Sequence, residues 1–383
     1  MSELIATNTT QKDFRKHLLI TVSALAVTSL AATAQVHASD SERPTVWVEL
    51  GGQMDFTQGA SSPIVADFMA NNANVGAFDP VSALDAQKSP RFSFGEEAKI
   101  SIQPKHSDWV FSASLRYGRV NSKRYIHQQT AGFPIPSTAP MYTGHVNGIP
   151  QHRMALASYA EFKETQSESH FALDFQAGKD VGLGLFGNDS SSVVSIGVRM
   201  ARISSSAEAK QRMRLDVHGS HFTSLVKYHR FYNHYSLTGY SNRSFRGIGP
   251  SLSWSGSASV VGNTDAGQLG VDWSANAALL FGRQKMKAHH HTTGVHRSIL
   301  GLQGNFYNSP YETSKSPARS RSVVIPNIGG SFALAYRFDN AKLDVGYRAD
   351  LYLHAMDTGF DTRQTSNVLY HGPFAKLSIG LGG

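Results

Sequence analysis

Side chains alternating with a strict two-residue period recur along this chain from about residue 45 to its end, and few folds accept that pattern. In the run Trp109 to Tyr117, one face carries Trp109, Phe111, Ala113, Leu115 and Tyr117, and the other Val110, Ser112, Ser114 and Arg116. Phe171, Leu173, Phe175 and Ala177 alternate with Ala172, Asp174 and Gln176. Leu269, Val271, Trp273, Ala275 and Ala277 alternate with Gly270, Asp272, Ser274 and Asn276, and Leu343, Val345, Tyr347, Ala349 and Leu351 with Asp344, Gly346, Arg348 and Asp350. Successive side chains of a strand point to opposite faces, so each run is a two-faced β-strand. About twelve such runs are expected, near 45–56, 92–103, 109–119, 153–163, 169–178, 192–203, 211–218, 246–261, 268–283, 322–338, 341–353 and 373–382. Many reach the roughly 10 residues that a tilted strand needs to cross a bilayer.

The connections supply the second constraint. Short ones are expected at 104–108, 164–168, 204–210, 262–267 and 339–340, and long ones at 57–91, 120–152, 179–191, 219–245, 284–321 and 354–372. Regular alternation of short and long connections fits an all-β, antiparallel transmembrane barrel with short periplasmic turns and long extracellular loops. Aromatic residues towards the strand ends, such as Trp109, Tyr117, Tyr336 and Phe338, suit interfacial girdles.

The first forty residues read as an export signal. Lys12, Arg15 and Lys16 precede a charge-free run from Leu18 to Ala32, followed by small-residue cleavage sites at Ala32-Thr33-Ala34 or Val36-His37-Ala38. The apolar run is short of the roughly 20 residues a spanning helix prefers. The expected organisation is a cleaved signal over 1–38 and a single barrel over 39–383, located in the cell outer membrane. Cysteine is absent, so disulfides contribute nothing, whereas a closed sheet satisfies its own backbone groups. The formal charge of +8 raises the question of nucleic acid, but no recognition motif accompanies it and export argues against that partner.

Inward positions on the alternating strands carry Lys99, Arg116, Asp174, Arg199, Arg212, Arg214, Asp272, Arg337, Asp344, Arg348 and Asp350 as candidate pore-lining residues. Charges there need water or partners. Two readings stay open: they pair across strands and close the interior, or they line a hydrated channel with a weak preference for anions. Glu96 falls on the apolar face of Phe92, Phe94, Ala98 and Ile100, where a bulge would re-aim it.

Two local clusters suggest chemistry and do not carry it. His218-Gly219-Ser220-His221 sets histidines beside a serine, but no third group orients a base, so no catalytic residue and no enzyme activity is expected. His289-His290-His291, with His296 beyond, sits in an expected loop with Lys285, Lys287, Arg297, Lys315, Arg319 and Arg321. Adjacent histidines make a weak metal site, so neither metal nor cofactor is expected, whereas the basic residues could meet lipopolysaccharide phosphates.

Phe245-Arg246-Gly247-Ile248-Gly249-Pro250, Ala277 to Arg283, Val324-Ile325-Pro326-Asn327, Val345 to Asp350 and His371-Gly372-Pro373-Phe374 together resemble the Legionella-type pore-forming outer-membrane proteins (major-outer-membrane-protein-like), most clearly over 245–383. The resemblance implies a pore-forming barrel and brings no catalytic residues. The expected function is passage of small polar solutes or ions through the outer membrane. The alternative is a closed barrel whose extracellular loops act in adhesion or surface recognition. Outer-membrane lipid, lipopolysaccharide and small solutes are the expected partners, and the sequence is compatible with an oligomer.

Overall fold

The computed structural model describes residues 45–59, 92–105, 107–129, 159–181, 191–214, 230–263, 267–300, 305–338, 340–360 and 362–381. The expected signal segment and the His218–His221 cluster lie outside them. Among the described residues there are eleven strands: β1 (Thr45–Gln58), β2 (Phe92–Gln103), β3 (Trp109–Gln129), β4 (Tyr159–Asp180), β5 (Ser191–Arg214), β6 (Arg230–Asn263), β7 (Gly267–Leu300), β8 (Asn305–Lys315), β9 (Ala318–Phe338), β10 (Ala341–Asp357) and β11 (Thr365–Leu381). Pairing runs β6-β5-β4-β3-β2-β1-β11-β10-β9-β7, and β7 pairs back to β6, which closes an antiparallel ring of ten strands. β8 stands outside the ring on the upper part of β7, where it prolongs β9 past Ser316-Pro317.

Ten strands replace the expected twelve because two of the expected turns are strand. The polar segments 164–168 and 204–210 lie inside β4 and β5, fully laddered to each other: Glu164↔Ala209, Gln166↔Ala207, Glu168↔Ser205. Glu164, Gln166 and Glu168 are buried inside the barrel, and the outward Thr165, Ser167, Ser206 and Glu208 mark the height at which the outer face stops being apolar, not a reversal of the chain. Above the bilayer the outer face no longer needs apolar residues, so Glu208 and Lys210 are exposed there. The connection at 181–190 consequently falls at the same end as the turns after β2, β6 and β9, not among the outer loops. The expected long loops at 219–245, 284–321 and 354–372 are likewise shortened by the outward prolongation of β6, β7, β9, β10 and β11.

Register fixes the barrel's dimensions. Following partner to partner from Val46 through Ile102, Phe111, Ala177, Ile196, Leu252, Ala277, Ile328, Leu351 and Leu369 returns to β1 at Gln58, twelve residues above the start. Twelve residues at about 3.3 Å against ten strands at about 4.8 Å give a tilt of roughly 40° and a backbone radius of roughly 10 Å. A barrel little wider than the eight-stranded class is filled by its own side chains, whereas aqueous channels belong to rings of about 16–18 strands.

The faces are inverted relative to a soluble protein. Outward-facing Phe94, Ile196, Leu252, Phe281, Phe332, Leu334 and Val345 are exposed, while Arg199, Asp174, Asp344 and Asp350 are buried inside. On β7 the apolar outer face runs from Leu269 to Phe281, about 30 Å of height at this tilt, as a lipid-facing belt requires. Glu96 keeps its place on the outer face, opposite Gly52 and Tyr117, with no register shift in β2.

Candidate functional site: the barrel interior and its mouth

Two ionic layers cross the interior. In the lower one, Lys376 bridges Glu49 (2.7 Å) and Asp344 (3.3 Å). Lys342 joins Asp344 (3.3 Å) to Asp272 (2.5 Å), and Arg337 reaches Asp272 at 2.9 Å. Lys99 completes the layer on Glu49 at 3.2 Å. These residues come from six strands contiguous in the ring, β2, β1, β11, β10, β9 and β7.

The upper layer spans the lumen. Arg116 on β3 pairs with Asp350 on β10, although β2, β1 and β11 stand between them in the wall. Arg348 on β10 grips Glu97 on β2 at 2.6 Å, with its guanidinium 4.8 Å from the centre of the Phe374 ring. Arg199 makes a two-pronged contact with Asp174, Nε to Oδ1 at 2.6 Å and Nη2 to Oδ2 at 3.1 Å. Its Nη1 donates across to Asn276 on β7 (2.7 Å) and to Asn327 on β9. Asn327 in turn donates to the Leu351 carbonyl at 3.1 Å. Charge-assisted, forked bonds of this kind fix geometry, and burial makes each partner dependent on the other.

Directly above lies an apolar layer that alternation alone does not announce. Ala201, Ile203, Phe245, Leu280, Ile325, Tyr352, Met356, Val368 and Tyr370 form one buried cluster inside the ring. A register shift on β10 between Tyr352 and Met356, with His354 at φ 57°, turns both Ala355 and Met356 inward. Beside it is a cavity of about 20 Å³ bounded by Asp55, Gly95, Arg116, His170, Asp350 and Tyr370, room for about one water. His170 and Asp55 approach to 3.4 Å in this corner. A Cβ on Gly118 would lie 2.2 Å from the His170 ring, so the glycine makes the space that ring occupies.

Above the apolar layer the mouth widens into a cavity of about 420 Å³ between β7, β9 and the β10–β11 connection. Arg319 is held by Asp357 (2.8 and 3.2 Å) and by the carbonyls of Gly359 (2.7 Å) and Phe360 (2.8 Å). Arg321 and Arg363 line the same cavity and are exposed.

Of the residues singled out in the sequence, Lys99, Arg116, Asp174, Arg199, Asp272, Arg337, Asp344, Arg348 and Asp350 meet in the two ionic layers. Arg212 is placed otherwise: it is exposed beside buried Gln211, because β5 runs unbroken through 204–210 and its parity is set from Arg199. Arg214 is in the same strand, with its side chain outside the described residues. The three adjacent histidines are split by strand alternation. His289 bonds Ser316 at 2.8 Å, His290 is buried against the Phe360 ring, and His291 lies 3.6 Å from Glu312. The apolar layer was missed by the sequence reading, yet a signal exists: in Ala277-Ala278-Leu279-Leu280-Phe281 both faces are apolar at once.

No protein-family model matches this chain. No curated protein matches it. Among solved structures it is loosely similar to several outer-membrane barrels, of which three show the range. One is the transport unit of the autotransporter AIDA-I from Escherichia coli (8% identity, 92% of this chain and 96% of that one, TM-score 0.25). Another is the outer membrane protease OmpT from Escherichia coli (6% identity, 91% and 100%, TM-score 0.32). The third is a mutant of the TodX monoaromatic hydrocarbon channel (8% identity, 89% and 90%, TM-score 0.19).

Proposed function

We propose that this chain is an outer-membrane barrel with a sealed lumen that works at its outward end, binding anionic ligands at the cell surface. The observation that carries this is the Arg116–Asp350 bridge across the lumen, capped by the apolar layer of Phe245, Leu280 and Ile325. Ions crossing that point must break buried charge pairs and then traverse an apolar plug, both costly steps. The mouth supports the second half of the reading. Arg321 and Arg363 face an open cavity of about 420 Å³, and a planar guanidinium suits carboxylate or phosphate groups.

The test is conductance of the purified, folded full-length protein in planar bilayers. A sealed barrel gives no stepwise currents. Stepwise currents whose reversal potential moves towards cations when Arg337 and Arg348 are both changed to Gln would overturn it. They would favour instead the pore-forming barrel that the resemblance of 245–383 implies, with the weak anion preference expected from the inward charges.

A further inference from the structure

The outer wall carries a basic row that neither the plug nor the mouth uses. Arg202 on β5 is register-paired with Arg246 on β6, and Arg246 with Arg283 on β7. All three are exposed on the outer face. Each is the first outward residue above the apolar belt, following Met200, Ile248 and Phe281 on its strand. Lys285 and Lys287 continue the stripe up β7 and are exposed as well. The carboxylate on this part of the face, Glu208, pairs with Lys210 at 3.4 Å, and among the described residues none pairs with the three arginines.

Like charges directly opposite across a ladder repel, with Cβ atoms about 4.5–5.5 Å apart. Three in one row, at the edge of a lipid-facing belt, need an anion that is itself anchored in lipid. We infer that Arg202, Arg246 and Arg283 bind the phosphates of a phosphorylated glycolipid of the outer leaflet, the lipid A portion of lipopolysaccharide. Its acyl chains lie along the belt formed by Ile196, Val198, Ile248, Leu252, Leu279 and Phe281. Its phosphates meet the arginine row, where planar guanidinium groups match phosphate geometry two-pronged. Lys285 and Lys287 stand further out, beside its sugars. This site faces lipid, away from the mouth, and does not depend on whether the lumen conducts.

Native mass spectrometry of the full-length barrel released from detergent tests it, with bisphosphorylated lipid A, the same lipid A enzymatically dephosphorylated, and phosphatidylglycerol as probes. The parent protein should retain bisphosphorylated lipid A in preference to the other two. The triple variant Arg202→Gln, Arg246→Gln, Arg283→Gln should bind it at least about tenfold more weakly, as loss of charge-assisted bonds requires. Lys179→Gln, at the opposite end of the wall, should leave binding unchanged. Heat-modifiable gel mobility verifies folding, and the single variant Arg246→Gln provides the same comparison with a smaller change. Equal retention of lipid A by parent and triple variant, or equal retention of the phosphorylated and dephosphorylated forms by the parent, would overturn the inference. Equal retention of phosphatidylglycerol would reduce the row to a generic anionic-lipid contact and overturn the assignment to lipid A.

Discussion

Replacing Arg199 measures how dry the interior is. Arg199 is 2% exposed and its partner Asp174 5%, and among the described residues Asp174 has otherwise only Arg116, at 4.0 Å. Arg199→Met leaves a buried carboxylate almost alone, which costs about 3–5 kcal/mol. The amides of Asn276 and Asn327 also lose their donor, at roughly 1 kcal/mol each. Arg199→Met combined with Asp174→Leu removes both charges, so only the amide losses and some repacking remain. The double variant should therefore be more stable than Arg199→Met alone, with a coupling of about 2–3 kcal/mol between the two sites. Urea unfolding of the barrel in lipid vesicles, followed by tryptophan fluorescence, reads these differences; Trp254 and Trp273 pack edge to face at 6.3 Å and report on β6–β7. In a water-filled lumen the same pair would be worth only about 0–1 kcal/mol. A cost for Arg199→Met within that range, with no coupling, would refute the sealed interior.

On β5, Ile196→Arg should cost about 2–4 kcal/mol because that side chain meets lipid, while Ser206→Arg on the same face should be nearly neutral. Equal costs in the same unfolding assay would place lipid where β5 is assigned to water. An epitope inserted between β7 and β8 should be labelled in intact cells, and one inserted between β4 and β5 should not; the reverse pattern would invert the barrel. Gly118→Val should destabilise by more than the roughly 1–3 kcal/mol of ordinary overpacking, since its Cβ meets the His170 ring at 2.2 Å. Relief by a second change, His170→Ala, distinguishes that clash from a general loss of strand propensity.

Much of the barrel was legible because lipid imposes a simple rule, apolar outside and polar inside, on every strand it touches. Where that rule stops, so did the reading. Glu164-Thr165-Gln166-Ser167-Glu168 has the composition of a turn, but water replaces lipid at that height and either composition is then compatible with strand. Taking it and 204–210 for turns gives two surplus strands and sets 179–191 among the outer loops. The charged inward positions were legible from alternation, but their partners were not: Arg116 and Asp350 are 234 residues apart in sequence, and only closure of the ring brings them together. Arg202, Arg246 and Arg283 show the same limit. Each is an ordinary charge in its own strand, and register alone makes them a row.

The way the ring closes also sets the order in which the molecule can be completed. Every pairing in the wall joins strands adjacent in sequence or separated only by β8, except the seam between β1 and β11, which matches Val46 with Leu381. Pairing across so long a chain segment is entropically slow and comes late. Lys376, which links Glu49 to Asp344, arrives with that last strand. Until β11 docks, Glu49 and Asp344 lack this shared cation and β1 shows a bare edge. The seam strand therefore acts as a latch: a nascent barrel without it is both open along one side and mismatched in charge.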